Sequence, residues 1–498
     1  MLNLSNSSYS EVFNILTDYL GSASIQVNLD DGEYTVKSEF KGDENYSSSK
    51  LTDKITVVSD KSIYILPDMS NDEIQLVLDL ASDYSNIIFA NSNFSNISLV
   101  VNKPLNITGD NSVLSGSENS AIFTVKSDNV SISDLTLIPY EGTGILLDNV
   151  SGVDVFNNII SNTLDSRYSY DYSKGYKVLP GNGVAIVDSV SVKIINNSVN
   201  NFENGVYLLS SDSSVVSDNL LFKNNYGVNF DYGVSNTIVF NNNITINVGN
   251  YTLDEPEGPL GYGIFLNNSA NNVNISYNYV VDNYIGILID SENSTGIRIT
   301  SNLVNENALE GIVFWKHYNL TNSSVYPVVE DNAIYNNAKG PSMMILGEMS
   351  ANPEGIYGPG QWNDSLKLFI GPNWYGTNHL VTWDLDGKVG AGSMCPRIKT
   401  STIIMNLTYR EARVYDVKFY KNGSLAVDLP VFTVYSTFNN VSDDEPVVIV
   451  NGSGLLRLDK NSFNSDYNLI EISAGPLDSS ERIYYVIYNY IVPESEYP

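Results

Sequence analysis

Cysteine occurs once in the 498 residues, as Cys395, and histidine twice, as His317 and His379. A lone thiol excludes an internal disulfide and leaves no thiolate cluster for a structural metal. Basic residues are scarce: 26 Lys and Arg stand against 57 Asp and Glu, a formal charge of −31. Such a surface repels phosphate backbones and anionic bilayers, which excludes nucleic acid as a partner. No run of about 18 apolar residues is present, so no membrane-spanning helix and no direct membrane insertion are expected. Charged residues of both signs make up only 17%, below the usual quarter; Asn, Ser and Tyr take their place.

What the chain does have is repetition. Val192 to Leu208 reads Val-Lys-Ile-Ile-Asn-Asn-Ser-Val, a polar corner, then Gly-Val-Tyr-Leu, and Val216 to Phe230 restates it. One position of this template holds Asn158, Asn197, Asn219, Asn242, Asn278, Asn302 and Asn332. Another holds Gly144, Gly183, Gly205, Gly227, Gly263, Gly286 and Gly311, each followed by Ile or Val. Uninterrupted repeats are 22 to 24 residues long. A fixed period of that size marks a solenoid, and short alternating segments broken by Asn and Gly make its unit strand and turn. A leucine-rich repeat would need Leu at most fixed positions and usually a helical return.

The expectation is therefore an all-β chain built on a right-handed single-stranded parallel β-helix. Val206, Val228, Ile264, Ile287 and Ile312 form one inward column, and Leu208, Phe230, Leu266, Ile289 and Phe314 the next. The Asn is expected to tolerate left-handed backbone, to bond its own backbone and to stack into an amide ladder. The Gly answers either a positive φ or a crowded backbone. Ser70 followed by Glu73 is a capping box, and Ile74, Val77, Leu78 and Ala81 fall on one face behind it. That short helix is expected to close the open end of the solenoid.

Residues 1–60 read as a partial immunoglobulin-like β module, 61–379 as the β-helix and 380–498 as an immunoglobulin-like β-sandwich. Insertions at Thr163–Gly181 and Thr245–Gly261 enter between the Asn and the Gly, and a third, Trp315–Pro327, follows the Gly strand. Asn-X-Ser/Thr triplets recur, at Asn93, Asn96, Asn106 and Asn149 among others; they fit either a glycosylated surface protein or the chance yield of an Asn- and Ser-rich chain. No secretory signal opens the sequence, and a segment of a longer exported protein is expected.

No catalytic constellation is legible. Neither His has a recognisable partner, and Asp148, Asp231 and Asp290, four residues after their Gly, read as corner acids. No catalytic residue, metal or cofactor is expected. Residues two after the Gly must point outward, and they are largely apolar or aromatic: Tyr207, Phe265 and Leu288 stand out. With Tyr168, Tyr170 and Tyr172 of the first insertion they are the candidate ligand-binding residues, since exposed rings suit sugars and protein partners alike. The insertions could equally cover that row.

The repeats, together with Gly371-Pro-Asn-Trp-Tyr-Gly-Thr-Asn378, the pattern Gly-x-Tyr-x-Val and Phe-x-Gly-Asp-x-Asn-Tyr over 32–46, and Lys418-Phe-Tyr-Lys-Asn-Gly423, resemble the adhesin-like surface proteins of methanogenic archaea. Tyr375 replaces a Trp of that family's pattern. The resemblance implies a monomeric, extracellular, non-enzymatic segment that binds glycans or proteins of other cells. Against it stand a carbohydrate-active β-helix enzyme (lyase, hydrolase or epimerase) and a structural spacer of the envelope.

Overall fold

The computed structural model describes residues 2–7, 9–15, 25, 27, 29, 32–42, 47–57, 62–162, 180–247, 261–290, 294–308, 310–314, 327–335, 337, 343–345, 373, 403–421, 423–442, 445–458, 463–464, 467–473 and 486–497. Their centre is a right-handed parallel β-helix. Each regular coil adds one strand to a ten-stranded wall and two short strands to a bent sheet. In one coil these are Asn182–Val187, Lys193–Ile195 and Ser198–Asn200. Every strand lies parallel to its counterpart one coil on; Val184 faces Val206, which faces Val228, then Ile264, Ile287 and Ile312.

The inward columns are as expected. Val206, Val228, Ile264, Ile287 and Ile312 have no exposed surface, nor have Leu208, Phe230, Leu266 and Ile289. Burying each such side chain stabilises the fold by about 1.5–3 kcal/mol, so the apolar interior is the main source of stability.

The corners explain the two recurrent polar residues. Asn158, Asn197, Asn219, Asn242, Asn278, Asn302 and Asn332 form a ladder that ends on Asn373. Each Nδ2 donates to the next Oδ1 at 2.9–3.1 Å. The same Oδ1 accepts the preceding rung's backbone N–H, as in Asn197 to Asn219 at 2.8 Å. Nδ2 also reaches its own backbone, from Asn197 to the Ile195 carbonyl at 3.1 Å. A buried amide survives only when both ends are satisfied, and stacking satisfies them. The left-handed residue, however, is the one before the ladder Asn: Asn157, Asn196, Asp218 and Asn241 have φ between 52° and 58°.

The Gly column answers crowding rather than a positive φ. A Cβ on Gly205 would lie 2.6 Å from the Gly227 carbonyl oxygen, and one on Gly227 2.5 Å from that of Gly263. Backbone of the next coil occupies the place a side chain would need.

The one α-helix among the described residues, α1 (Asn71–Leu80), covers the N-terminal end. Ser70 caps it, its hydroxyl accepting from the Glu73 N–H while Glu73 accepts from the Ser70 N–H. Ile74 and Leu78 insert into the solenoid core. The helix also blunts the edge of the ten-stranded wall. Gln75 Nε2 donates to the Val100 carbonyl at 2.9 Å and its Oε1 accepts the Val100 N–H at 2.8 Å. One side-chain amide thus takes the place of a neighbouring strand.

Before the β-helix lies a four-stranded antiparallel sheet, with the hairpin Gly32–Phe40 and Ser49–Val57 at its heart. After it come two antiparallel sheets that share a core of Met405, Tyr415, Val417, Phe419, Val434, Phe438, Ile449 and Ile472. This sandwich also packs against Leu303, Ala333 and Tyr279 of the solenoid. Lys421 fixes the contact, its Nζ lying 2.8 Å from Asp331 and 2.9 Å from Asp428.

Candidate functional site

The outward face of the ten-stranded wall carries two rows. One is two residues after the Gly, as expected. The other is the residue before it: Asn182, Asn204, Tyr226, Tyr262, Ile285 and Glu310 stand in register. The ladder skips the Gly itself, which is why residues three apart share a face.

Together the rows build an aromatic platform. Phe265 stacks on Tyr226 with ring centres 5.5 Å apart and planes at 27°. Tyr262 meets Phe265 edge-on at 4.9 Å and lies 5.4 Å from Tyr226. Leu288, with Ile285 and Val313, packs in the same cluster, with Tyr284 at its margin. Leu288 keeps only 4% of its surface. It lies beside Phe265, in register on the next strand, and is too covered to offer much contact of its own. Tyr168, Tyr170 and Tyr172 lie outside the described residues, as do His317, His379 and Cys395.

Tyr207 sits below the platform and donates from its hydroxyl to Asp231 Oδ2 at 2.8 Å. Asp231 Oδ1 accepts the Tyr232 N–H and Asn268 Nδ2, each at 2.8 Å. Asp231 is thus a site residue as well as a corner acid. Burial, the bond to Asp231 and the charges of Asp231 and Glu203 push the Tyr207 hydroxyl well above the usual phenol range. Burial does the same for Tyr226 and Tyr262. These hydroxyls stay protonated at any ordinary pH.

Glu310 closes the upper end of the first row. Loss of water around its carboxyl raises it to about 7, and its Oε2 is buried without a hydrogen-bond partner. Glu203 at the lower end is also raised by desolvation. The reading of the sequence missed Tyr226, Tyr262 and Glu310. Their signal was present, an outward residue immediately before each Gly, but simple alternation puts that residue on the wrong side.

Residues 175–339 match the profile of a family described as "Periplasmic copper-binding protein (NosD)". A search among curated proteins found no match. Among solved structures, the A-module of mannuronan C-5 epimerase AlgE6 from Azotobacter vinelandii is similar over 61% of this chain and 81% of its own, with 14% identity and a TM-score of 0.38. Pectate lyase Pel9A matches over 56% and 78%, with 14% identity and a TM-score of 0.41. An alginate lyase from Paenibacillus sp. str. FPU-7 matches over 55% and 95%, with 16% identity and a TM-score of 0.37. The class, a parallel β-helix protein, follows from the strand topology itself.

The comparisons correct the non-enzymatic expectation. The similar structures include carbohydrate-active enzymes, and that expectation is withdrawn, although at such distance the likeness carries the fold and no activity. Nothing in the comparisons points to an archaeal adhesin. Copper does not fit the matched segment. Copper sites draw on imidazole, thiolate or thioether, and residues 175–339 hold one His, His317, and no Cys or Met. Among the described residues no group of His, Cys, Asp or Glu could hold a metal ion, and no helix is long and apolar enough to cross a membrane.

Proposed function

We propose that this chain is a carbohydrate-active β-helix protein that binds and processes polysaccharide along the outward face of its ten-stranded wall. The observation that carries the reading is the Tyr226–Tyr262–Phe265 platform, in register with the desolvated carboxyl of Glu310 at the upper end of its row. Flat amphipathic rings hold sugar faces, and a carboxyl raised toward neutrality is suited to proton transfer. Tyr207, Phe265 and the Asp231 carboxylate complete the binding surface, with Leu288 beside Phe265. A location outside the cytoplasm, at a cell surface or in a periplasm, is supported by the description of the matching family and by the resemblance to surface proteins.

The test is a panel of neutral and uronic-acid polysaccharides. Retention on each is followed by affinity electrophoresis, and product by reducing ends or by unsaturated sugar. Wild-type protein is expected to bind and process at least one polymer. Replacing Tyr207 and Phe265 by Ser should weaken binding at least tenfold while thermal unfolding of the solenoid stays within a few degrees. Failure to bind or alter any polymer, or binding indifferent to both substitutions, sinks the proposal.

A further inference from the structure

Within the proposed function, on which this inference rests, the wall also distinguishes among sugars and reactions. Its ten strands contain no Lys or Arg, and Lys126, which adjoins them, is paired with Asp148 at 3.8 Å, so that Asp231 and Asp290 are left as the carboxylates that set its charge. The side chains that are present give this face a negative potential, which disfavours a uronate polymer. Abstraction of a proton beside a uronate carboxyl would also build negative charge that these carboxylates oppose rather than stabilise. Hydrolysis of an uncharged glycan needs instead an acid for the leaving oxygen and a carboxylate to help water.

Glu310 stands at the upper end of the row Tyr226, Tyr262, Ile285, Glu310, which spans three interstrand spacings, about 14 Å in all at about 4.8 Å each. A sugar chain lying along the rings would run toward its carboxyl, whose Oε2 is buried and unpartnered while the residue as a whole keeps part of its surface. We propose that Glu310 is the general acid of a hydrolytic reaction on an uncharged polysaccharide. Its proton passes to the glycosidic oxygen as the bond from that oxygen to the anomeric carbon breaks. Water adds to the anomeric carbon and gives up a proton to solvent, and Glu310 recovers its proton from solvent. The ionisable groups around the same cluster are Tyr262, Tyr284 and Asp290, with Tyr226 and Glu203 toward its lower end. The Tyr226 and Tyr262 hydroxyls stay neutral, so loss of the Glu310 proton sets the basic limb of the rate.

The experiment compares wild type, Glu310→Gln and Glu310→Asp on neutral polysaccharides and on uronates. The expected result is reducing ends from a neutral polymer only, with kcat falling as pH rises through about 7. Glu310→Gln should lower kcat by at least about a hundredfold with KM within about threefold, and Glu310→Asp should keep part of the rate. A readout independent of turnover is stability. The carboxyl holds its proton more tightly folded than unfolded, so its contribution is complete below the unfolded value of about 4.3 and is lost as pH rises through about 7. Wild type should therefore lose Tm between pH 5 and pH 8 relative to Glu310→Gln.

Full activity in Glu310→Gln, or equal Tm changes in the two proteins, overturns the role of Glu310 while leaving the carbohydrate reading in place. Unsaturated product from a uronate overturns the substrate class. Absence of any binding or product overturns the inference together with the reading it rests on.

Discussion

Two outward apolar rows run along this solenoid, and they end differently. On the bent sheet, the residue after each ladder Asn gives Ile159, Ser198, Leu220, Asn243, Tyr279, Leu303 and Ala333. At its far end Leu303 is 1% exposed and Ala333 fully buried, because the C-terminal sandwich packs on them. On the ten-stranded wall the aromatic row instead packs its own rings together and ends on the Glu310 carboxyl. The first row buries apolar surface between domains. The second joins apolar surface to polar groups that a ligand could use. Outward hydrophobicity alone therefore does not mark a binding face; its company does.

The largest test of this comparison removes what both rows depend on. Asn242→Leu deprives the Asn219 N–H and Nδ2 of an acceptor and the Val216 and Phe240 carbonyls of a donor. The buried Asn219 N–H loses its acceptor, while Asn219 Nδ2 keeps the Ile194 carbonyl and the Phe240 carbonyl keeps the Asp218 N–H, so a loss of about 3 kcal/mol is expected in denaturant unfolding. A loss under about 1 kcal/mol would show that the ladder contributes little to stability.

A smaller effect separates the rows. Leu303→Ser should cost about 2–3 kcal/mol and make the sandwich easier to cleave from the solenoid by protease. Phe265→Ser, on a half-buried ring, should cost under about 1.5 kcal/mol and act on binding. Equal losses would erase the distinction. Smallest of all is a gain. Ile246 holds φ at 58°, left-handed backbone that a β-branched side chain resists, and it is 41% exposed. Ile246→Asn should raise stability by about 1 kcal/mol, measured in the same unfolding assay; no gain would mean that the coil relaxes around the strain.

How much of this was legible depends on the period. Asn197, Asn219 and Asn242 announce the ladder because an amide buried at one rung requires an amide at the next. The same logic produced a second ladder that passed unread. Asn224, Asn247, Asn283, Asn307 and Asn337 each bond the next, with side-chain contacts of 2.8–3.1 Å from Asn247 onward. It recurs five residues after the first, but Phe202 breaks the series where the repeat is plainest. The platform was half legible. Tyr207 and Phe265 follow from alternation, whereas Tyr226, Tyr262 and Glu310 depend on the irregularity at the Gly. Which rows are covered is a tertiary fact: nothing in the spacing of Leu303 or Ala333 announces a domain that begins some 70 residues later.

The two amide columns have one further consequence. In the first ladder each coil presents the same donors to its successor and the same acceptors to its predecessor, so coils that carry its Asn mate in the same way. Deleting residues 198–219, one full winding, would set Asn197 directly beneath Asn242 with every corner intact. The distance from α1 to the sandwich is therefore adjustable in whole steps of about 4.8 Å, by removing or adding a winding without redesigning either end.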